Sequence, residues 1–186
     1  MDLLEFSQCE LYFDEPMPAQ AELLINDAAR SYGDPLAEFQ LLRAYLIAPT
    51  HLSVLVALYR YYFYQHRLDD ALLVVERAMA VAGDRLSLGT DWAHLTVSHL
   101  SSPARCSFGL LRFYLLALKA EAVVMLRLGD IDGSRARLKK LLELDTNDRL
   151  GGARLLEVVD EFRPPVPPMP AGLATPTAVA ASPVAA

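Results

Sequence analysis

Along the first half of the chain, apolar residues recur at steps of three and four. Ala21, Leu24, Ile25 and Ala28 form one such stripe, and it predicts an amphipathic helix that stops at Ser31-Tyr32-Gly33. Asp34-Pro35 starts the next helix. An Asp oxygen can accept an N–H of the first turn, and a proline at the first helical position gives up an N–H that would have no intrahelical partner. This second helix is expected to reach about Ala48, where Pro49-Thr50 breaks it. Leu52 to Gln65 predicts a third helix, crowded with aromatics from Tyr59 to Tyr64, and Asp69 to Val81 predicts its antiparallel mate.

Two helix pairs in series invite a search for internal period. Leu24, Ala28, Ala37, Leu41 and Ala44 of a segment 18–51 reappear 34 residues later as Leu58, Tyr62, Ala71, Val75 and Ala78 of a segment 52–85. A third copy spans 115–148. There Leu128-Gly129-Asp130-Ile131-Asp132-Gly133-Ser134 supplies the turn between helices, and Ser134 takes the small position held by Ala37 and Ala71. Small residues at such positions let paired helices approach closely, while larger apolar ones fill the space between pairs.

This helix-turn-helix pattern resembles the tetratricopeptide-repeat (TPR) family. The resemblance implies an all-α fold of stacked helix-turn-helix repeats forming a short right-handed α-solenoid. Several positions depart from the pattern. Ile25, Tyr59 and Ala122 stand where the family has a small eighth residue, Thr146 stands where the first segment has Pro49, and Leu141 replaces Ala44 and Ala78. Glu121 likewise stands where the first two segments have Leu24 and Leu58.

Between the second and third segments lies a 29-residue insert, 86–114. Thr90-Asp91-Trp92 predicts a capped short helix ending near Leu100, and Ser102-Pro103 predicts the start of another that runs into the third segment. Trp92, Leu95, Phe108, Leu111 and Phe113 are too apolar for a free loop, so the insert is expected to pack. Leu150, Leu155, Leu156, Val159 and Phe162 predict a capping helix within 149–163, covering the last open face of the stack. The helical domain is thus expected over 18–163, with an N-terminal extension 1–17 and a disordered Pro/Ala-rich tail 164–186.

Composition agrees with a core-forming chain, at 53% hydrophobic and 22% charged among 186 residues. A net charge of −6 argues against non-specific nucleic-acid binding, which needs a surplus of Lys and Arg. No basic n-region precedes an apolar core at Met1-Asp2-Leu3-Leu4. Arg43, Arg60, Arg67 and Lys119 interrupt every apolar window before it could span a membrane. Cys9 and Cys106 lack the spacing of a disulfide framework and read as reduced thiols, so a cytoplasmic protein is expected.

Catalytic patterns are missing from the sequence: no phosphate-binding glycine loop, no nucleophile elbow and no paired CxxC motifs. His94 and His99 are five apart and diverge on a helix, which reads as surface or packed histidines rather than a metal pair. Cys106 beside Arg105 reads as a half-buried thiol. Asp69-Asp70, Asp130 with Asp132, and Glu143 with Asp145 read as capping and solvating carboxylates, and the Pro164 to Pro167 spacing as part of a linker or frayed end. No enzyme, cofactor or metal is expected.

In the TPR family the first helix of each repeat lines a concave groove that holds a peptide or a partner's helix. Carried across, the groove positions are Glu22, Asn26 and Arg30, then Val56, Arg60, Phe63 and Tyr64, then Lys119, Val123 and Arg127. That set implies an adaptor or chaperone-like scaffold whose protein or peptide partner has apolar anchors and acidic groups. The family's chaperone-tail clamp requires a basic residue where this chain has Glu22, while three repeats in a short acidic chain are similar to bacterial secretion chaperones that hold translocator proteins. Two other classes are weighed beside the adaptor: a homodimer using Leu73, Val74 or the insert's apolar face, and an enzyme built around Trp92, His94, His99 and Cys106.

Overall fold

The computed structural model describes residues 15–89 and 91–161, apart from the side chains of 102–106. The N-terminal extension to residue 14, Thr90, Cys9, Phe162, the tail 164–186 and the thiol of Cys106 lie outside the described residues. Among the described residues the protein is all-α, with no strand.

Helix α1 (Ala19–Arg30) and α2 (Pro35–Ile47) form the first hairpin, and α3 (Leu52–Tyr64) and α4 (Leu68–Arg85) the second. Helix α4 runs four residues past the expected Val81, because Val81, Ala82 and Leu86 are still buried there and hold the last turn on the core. Asp34 caps α2 as expected, accepting the Leu36 N–H at 2.8 Å with Pro35 at the first helical position.

The insert departs from its expected form. Asp91 accepts the Ala93 N–H at 3.0 Å, but it caps only a 3-10 turn, Trp92–His94. Helix α5 (Val97–Cys106) then runs through Ser102-Pro103, which was expected to start a helix. The start lies further on: Ser107 accepts the Leu110 N–H at 3.3 Å and opens the 21-residue helix α6 (Phe108–Leu128). Consequently the third segment has no structural boundary at Leu115. Leu95, Leu111 and Phe113 are buried and Trp92 half-buried, as expected, whereas Phe108 in the first turn of α6 is exposed.

Gly129, at φ 88°, ends α6 in the left-handed conformation that glycine adopts without a Cβ clash. Asp130 then accepts the Gly133 N–H at 2.8 Å and caps α7 (Ile131–Leu144). Helix α8 (Gly152–Glu161) lies against α7, with Val159 fully buried.

Each hairpin packs on the next, and although the insert separates them in sequence, α4 meets α6 directly. Gly83 makes that approach possible, since a Cβ there would lie 3.2 Å from the Tyr114 ring and 3.1 Å from the Gly89 carbonyl. Most of the periodic positions are buried in all three segments, the exception being Met125, half-buried at the position of Ala28 and Tyr62. Ala37, Ala71 and Ser134 are each fully buried, as are Leu41, Val75 and Leu138 to within a few per cent. Glu121 is fully buried at the position where Leu24 and Leu58 are also buried.

Candidate functional site

The cavity nearest the expected groove lies between α1 and α3, the first helices of the two N-terminal hairpins. It measures about 550 Å³ and is lined by Ile25 and Ala28 of α1, Tyr32 of the following turn, and Arg60, Tyr61 and Tyr64 of α3. Sites that hold small molecules or peptide side chains commonly measure about 300–1,000 Å³ and combine an apolar wall with a few polar groups. Here the alanines and Ile25 form the wall and the three phenols with Arg60 supply the polar groups.

The hairpin sequence itself creates this gap. Where two helices meet through alanines, as at Ala28, Ala29 and Ala57, their surfaces leave space that bulkier residues would fill. Tyr32 packs edge-on against Tyr61 with centroids 6.2 Å apart, closing one end. Burial raises the Tyr61 phenol above its ordinary pKa, with the Glu38 carboxylate adding to the shift, so it remains a hydrogen-bond donor at neutral pH.

Of the residues expected on the groove, Arg60 and Tyr64 line this cavity. Asn26 and Arg30 are exposed on α1, as is Glu22, and Arg30 pairs with Asp27 at 2.8 Å. Val56 does not face the groove; it is buried in the contact between α3, α4 and α6, beside Tyr59, Val75 and Phe113. Helix α3 is covered by neighbours on most of its circumference, which leaves fewer positions open than the family pattern implies.

The third segment's candidates are occupied within the chain. The Arg127 guanidinium lies 4.7 Å from the centre of the Phe63 ring and 2.8 Å from His66 Nδ1. Phe63 in turn stacks on Tyr59 at 5.7 Å. Lys119 donates its ε-ammonium to the Leu150 carbonyl, and burial pulls its pKa below the ordinary value against the opposing pull of Asp148 and Asp145. Val123 is half-buried. The expected groove therefore divides: it is open between α1 and α3, and between α3 and α6 it is bridged by Arg127 on Phe63.

The carboxylates expected to cap and solvate are used locally. Asp70 pairs with Arg67, Asp132 with Arg135 and Glu143 with Lys140, while Asp145 accepts the Leu150 N–H at 2.7 Å. His94 bonds Asp91 and His99 bonds Thr96, each within its own turn, so the two rings do not converge.

A second cavity, of about 210 Å³, sits where the insert crosses α4, α6 and α7. Glu76, Met79, Trp92, Tyr114, Glu121 and Arg137 line it. Arg137 Nε donates to Glu121 Oε2 at 2.6 Å, and its guanidinium lies 4.9 Å from the Trp92 ring centre. Glu121 Oε1 is buried without a hydrogen-bond partner. Burial pushes the Glu121 carboxyl above the ordinary carboxylate range, opposed by Arg137 and assisted by Glu76. Burial, with Glu121 and Asp91 nearby, raises the Tyr114 phenol to about 12. The sequence signal for this site is the charged residue at a repeat position that elsewhere holds leucine; the contributions of Trp92 and Arg137 depend on tertiary contacts that no local spacing reveals.

No helix among the described residues is long and apolar enough to cross a membrane. Neither a family model nor a solved structure matches the chain. A curated relative, described as an uncharacterized 19.8 kDa protein in the nifW 5′ region of Azotobacter chroococcum mcd 1, is 45% identical over 161 residues, covering 87% of this chain and 90% of its own. With that identity over most of both lengths, the chain belongs to the same protein family as this relative.

Proposed function

We propose that the chain is a non-enzymatic TPR-type adaptor, a short right-handed α-solenoid in the cytoplasm that holds a segment of a partner polypeptide between α1 and α3. The observation that carries this reading is the cavity of about 550 Å³ between the first helices of the first two hairpins. Its apolar wall suits one buried aliphatic or aromatic side chain of the partner, and Arg60 with the tyrosine hydroxyls suits an acidic neighbour on the same segment. The 34-residue recurrence of buried positions supports the repeat assignment. Relative to the groove expected from sequence, the proposed surface is shortened to its N-terminal half, because Arg127 bridges to Phe63 beyond it.

The test is capture of partners by intact protein and by an Arg60→Ala/Tyr64→Ala variant whose helical content is checked by circular dichroism. The relative's place in the nifW 5′ region makes the products encoded beside that region the first candidates to assay. Removal of two central contacts should weaken a specific partner by about 2 kcal/mol or more. Equal capture by both proteins would remove the groove from the account.

Self-association is the second reading, and one observation favours it. Helix α2 exposes Leu36 at 50%, Phe39 at 56% and Leu46 at 78%, spaced along one side, and Leu73 on α4 is also exposed at 65%. Val74 is half-buried, so it contributes less than expected. A mass that stays monomeric across a wide concentration range would exclude this reading.

A further inference from the structure

The cavity around Glu121 has features that core formation alone does not require. A buried carboxylate replaced by leucine would leave the repeat pattern intact, as Leu24 and Leu58 do in the other two segments. Instead Glu121 is fully buried, Arg137 engages only one of its oxygens, and Oε1 has no partner. An unsatisfied buried acceptor is unfavourable, more so when charged, and native interiors leave few of them without a ligand or water.

The charge balance indicates what could satisfy it. Two carboxylates, Glu76 and Glu121, face one guanidinium, Arg137, around about 210 Å³ of space. With both acids ionised the site carries one uncompensated negative charge. A single cationic donor would neutralise it and give Oε1 its missing hydrogen bond. Arg137 does not do both: its Nε donates to Glu121 Oε2, its Nη1 to the Gly133 carbonyl at 3.5 Å, and its face lies over Trp92. The remaining wall, Met79 and the Trp92 and Tyr114 rings, is apolar or aromatic and suits a short aliphatic stem.

We infer that this cavity is a binding site for a primary ammonium on a short alkyl chain, with Glu121 Oε1 and Glu76 as its acceptors and Trp92 and Tyr114 enclosing the stem. The same chemistry is present in a free small amine and in a lysine side chain from another polypeptide. The site lies apart from the α1/α3 cavity and does not rest on the peptide-binding reading. The insert has a defined part in it: it brings Trp92 over the end of Arg137, and without that wall the carboxylate pair would face solvent.

Trp92 is the only tryptophan in the chain, so its fluorescence reports on this cavity alone. The experiment titrates the full chain with n-butylammonium chloride, with n-butanol as the neutral counterpart, and with Nα-acetyl-lysine methylamide. The expected result is a saturable change in Trp92 emission with both cations and none with the alcohol. Tighter binding of butylammonium identifies the free amine as the natural ligand, and tighter binding of the lysine derivative identifies a side chain.

Glu76→Gln should weaken the response at least severalfold, and Glu121→Gln should abolish it. Because Glu121 is in the core, Ala80→Leu serves as a second variant: Ala80 is half-buried on the cavity wall, and a larger side chain there fills the space without touching the carboxylate pair chemically. It should also abolish the response. An equal response to n-butanol, no saturable response to either cation, or a response that survives Ala80→Leu would overturn the assignment.

Discussion

The first and third hairpins are built on the same spacing of buried positions, yet they use it differently. In the α1–α2 hairpin the shared position is Leu24, which joins Ala21, Ala44, Ala48 and Val54 in a small cluster separate from the main core. In the α6–α7 hairpin it is Glu121, which lies with Leu118, Val124, Leu138 and Leu141 among the most completely buried side chains. The end hairpin buries an apolar cluster between its helices and has one open side. The inner hairpin is covered by α4, α8 and the insert, and it holds an ion pair inside. At this position the side chain is buried in both hairpins, and its neighbours determine whether a charge is kept there.

The largest expected effect comes from breaking the buried pair on one side. Glu121→Ala leaves the Arg137 guanidinium without its partner, at only 13% side-chain exposure. Removing one partner of a buried ion pair destabilises by about 3–5 kcal/mol, and the low end applies here because Glu76 still faces Arg137. Leu24→Ala, in the looser cluster, should destabilise by about 2–3 kcal/mol, at the low end for a buried leucine. Urea denaturation of both variants measures the contrast. The double variant Glu121→Leu/Arg137→Leu sharpens it, since replacing both charges with apolar groups is often neutral or stabilising. If Glu121→Ala were no worse than Leu24→Ala, the two positions would be energetically alike and the pair would have no special standing.

The contrast also marks how far the sequence could be read. The helices of the first two hairpins follow from stripes and caps that are local: Asp34-Pro35 both predicts and makes the start of α2. The same spacing of positions, displaced by the insert, locates most of the buried set in the third segment as well, among them Ser134, Leu138 and Leu141. The insert was less legible. Proline usually marks a first turn, yet Pro103 lies inside α5, and the actual start is set by Ser107, a residue with no strong signal around it. At the site, Arg60 and Tyr64 follow from the groove positions that the family resemblance implies, and both line the α1/α3 cavity. Arg127 was assigned to the groove but is held by Phe63, a contact between residues more than sixty positions apart that periodicity cannot see. Glu121 was visible as an anomaly, though nothing local pointed to Arg137 and Trp92 as its surroundings.

A smaller effect separates the two hairpins at their turns. Asp34→Ala and Asp130→Ala each remove one cap hydrogen bond to the following helix, worth about 1 kcal/mol. In the inner hairpin this loss should appear in global stability, because α7 unfolds only with the core. At the chain's end, Asp34→Ala should instead act by local fraying of α1 and α2. Amide hydrogen exchange distinguishes the cases: faster exchange confined to 19–47 in the first variant, and throughout the domain in the second. Uniform acceleration in both would mean that the end hairpin is as tightly coupled as the inner one.

The least effect expected is a dependence on pH that only the inner hairpin carries. Burial raises the Glu121 carboxyl above its unfolded value of 4.5, with Arg137 opposing and Glu76 adding. A carboxyl whose pKa is higher in the folded state binds more protons there than in the unfolded chain, so stability from this group falls as pH rises from the unfolded value to the folded one. The contribution is full below pH 4.5 and lost above the folded pKa, the reverse of what a salt-bridged surface carboxylate would give. Other carboxylates titrate in the same range, so the quantity to measure is the difference in unfolding free energy between the natural chain and Glu121→Gln at each pH. That difference should change with pH in the stated direction, while the same difference for Leu24→Ala, which removes no titrating group, should remain flat. A rise with pH in the first series would mean that Arg137 outweighs desolvation at Glu121, and the inner site would then be an ordinary ion pair that happens to be buried.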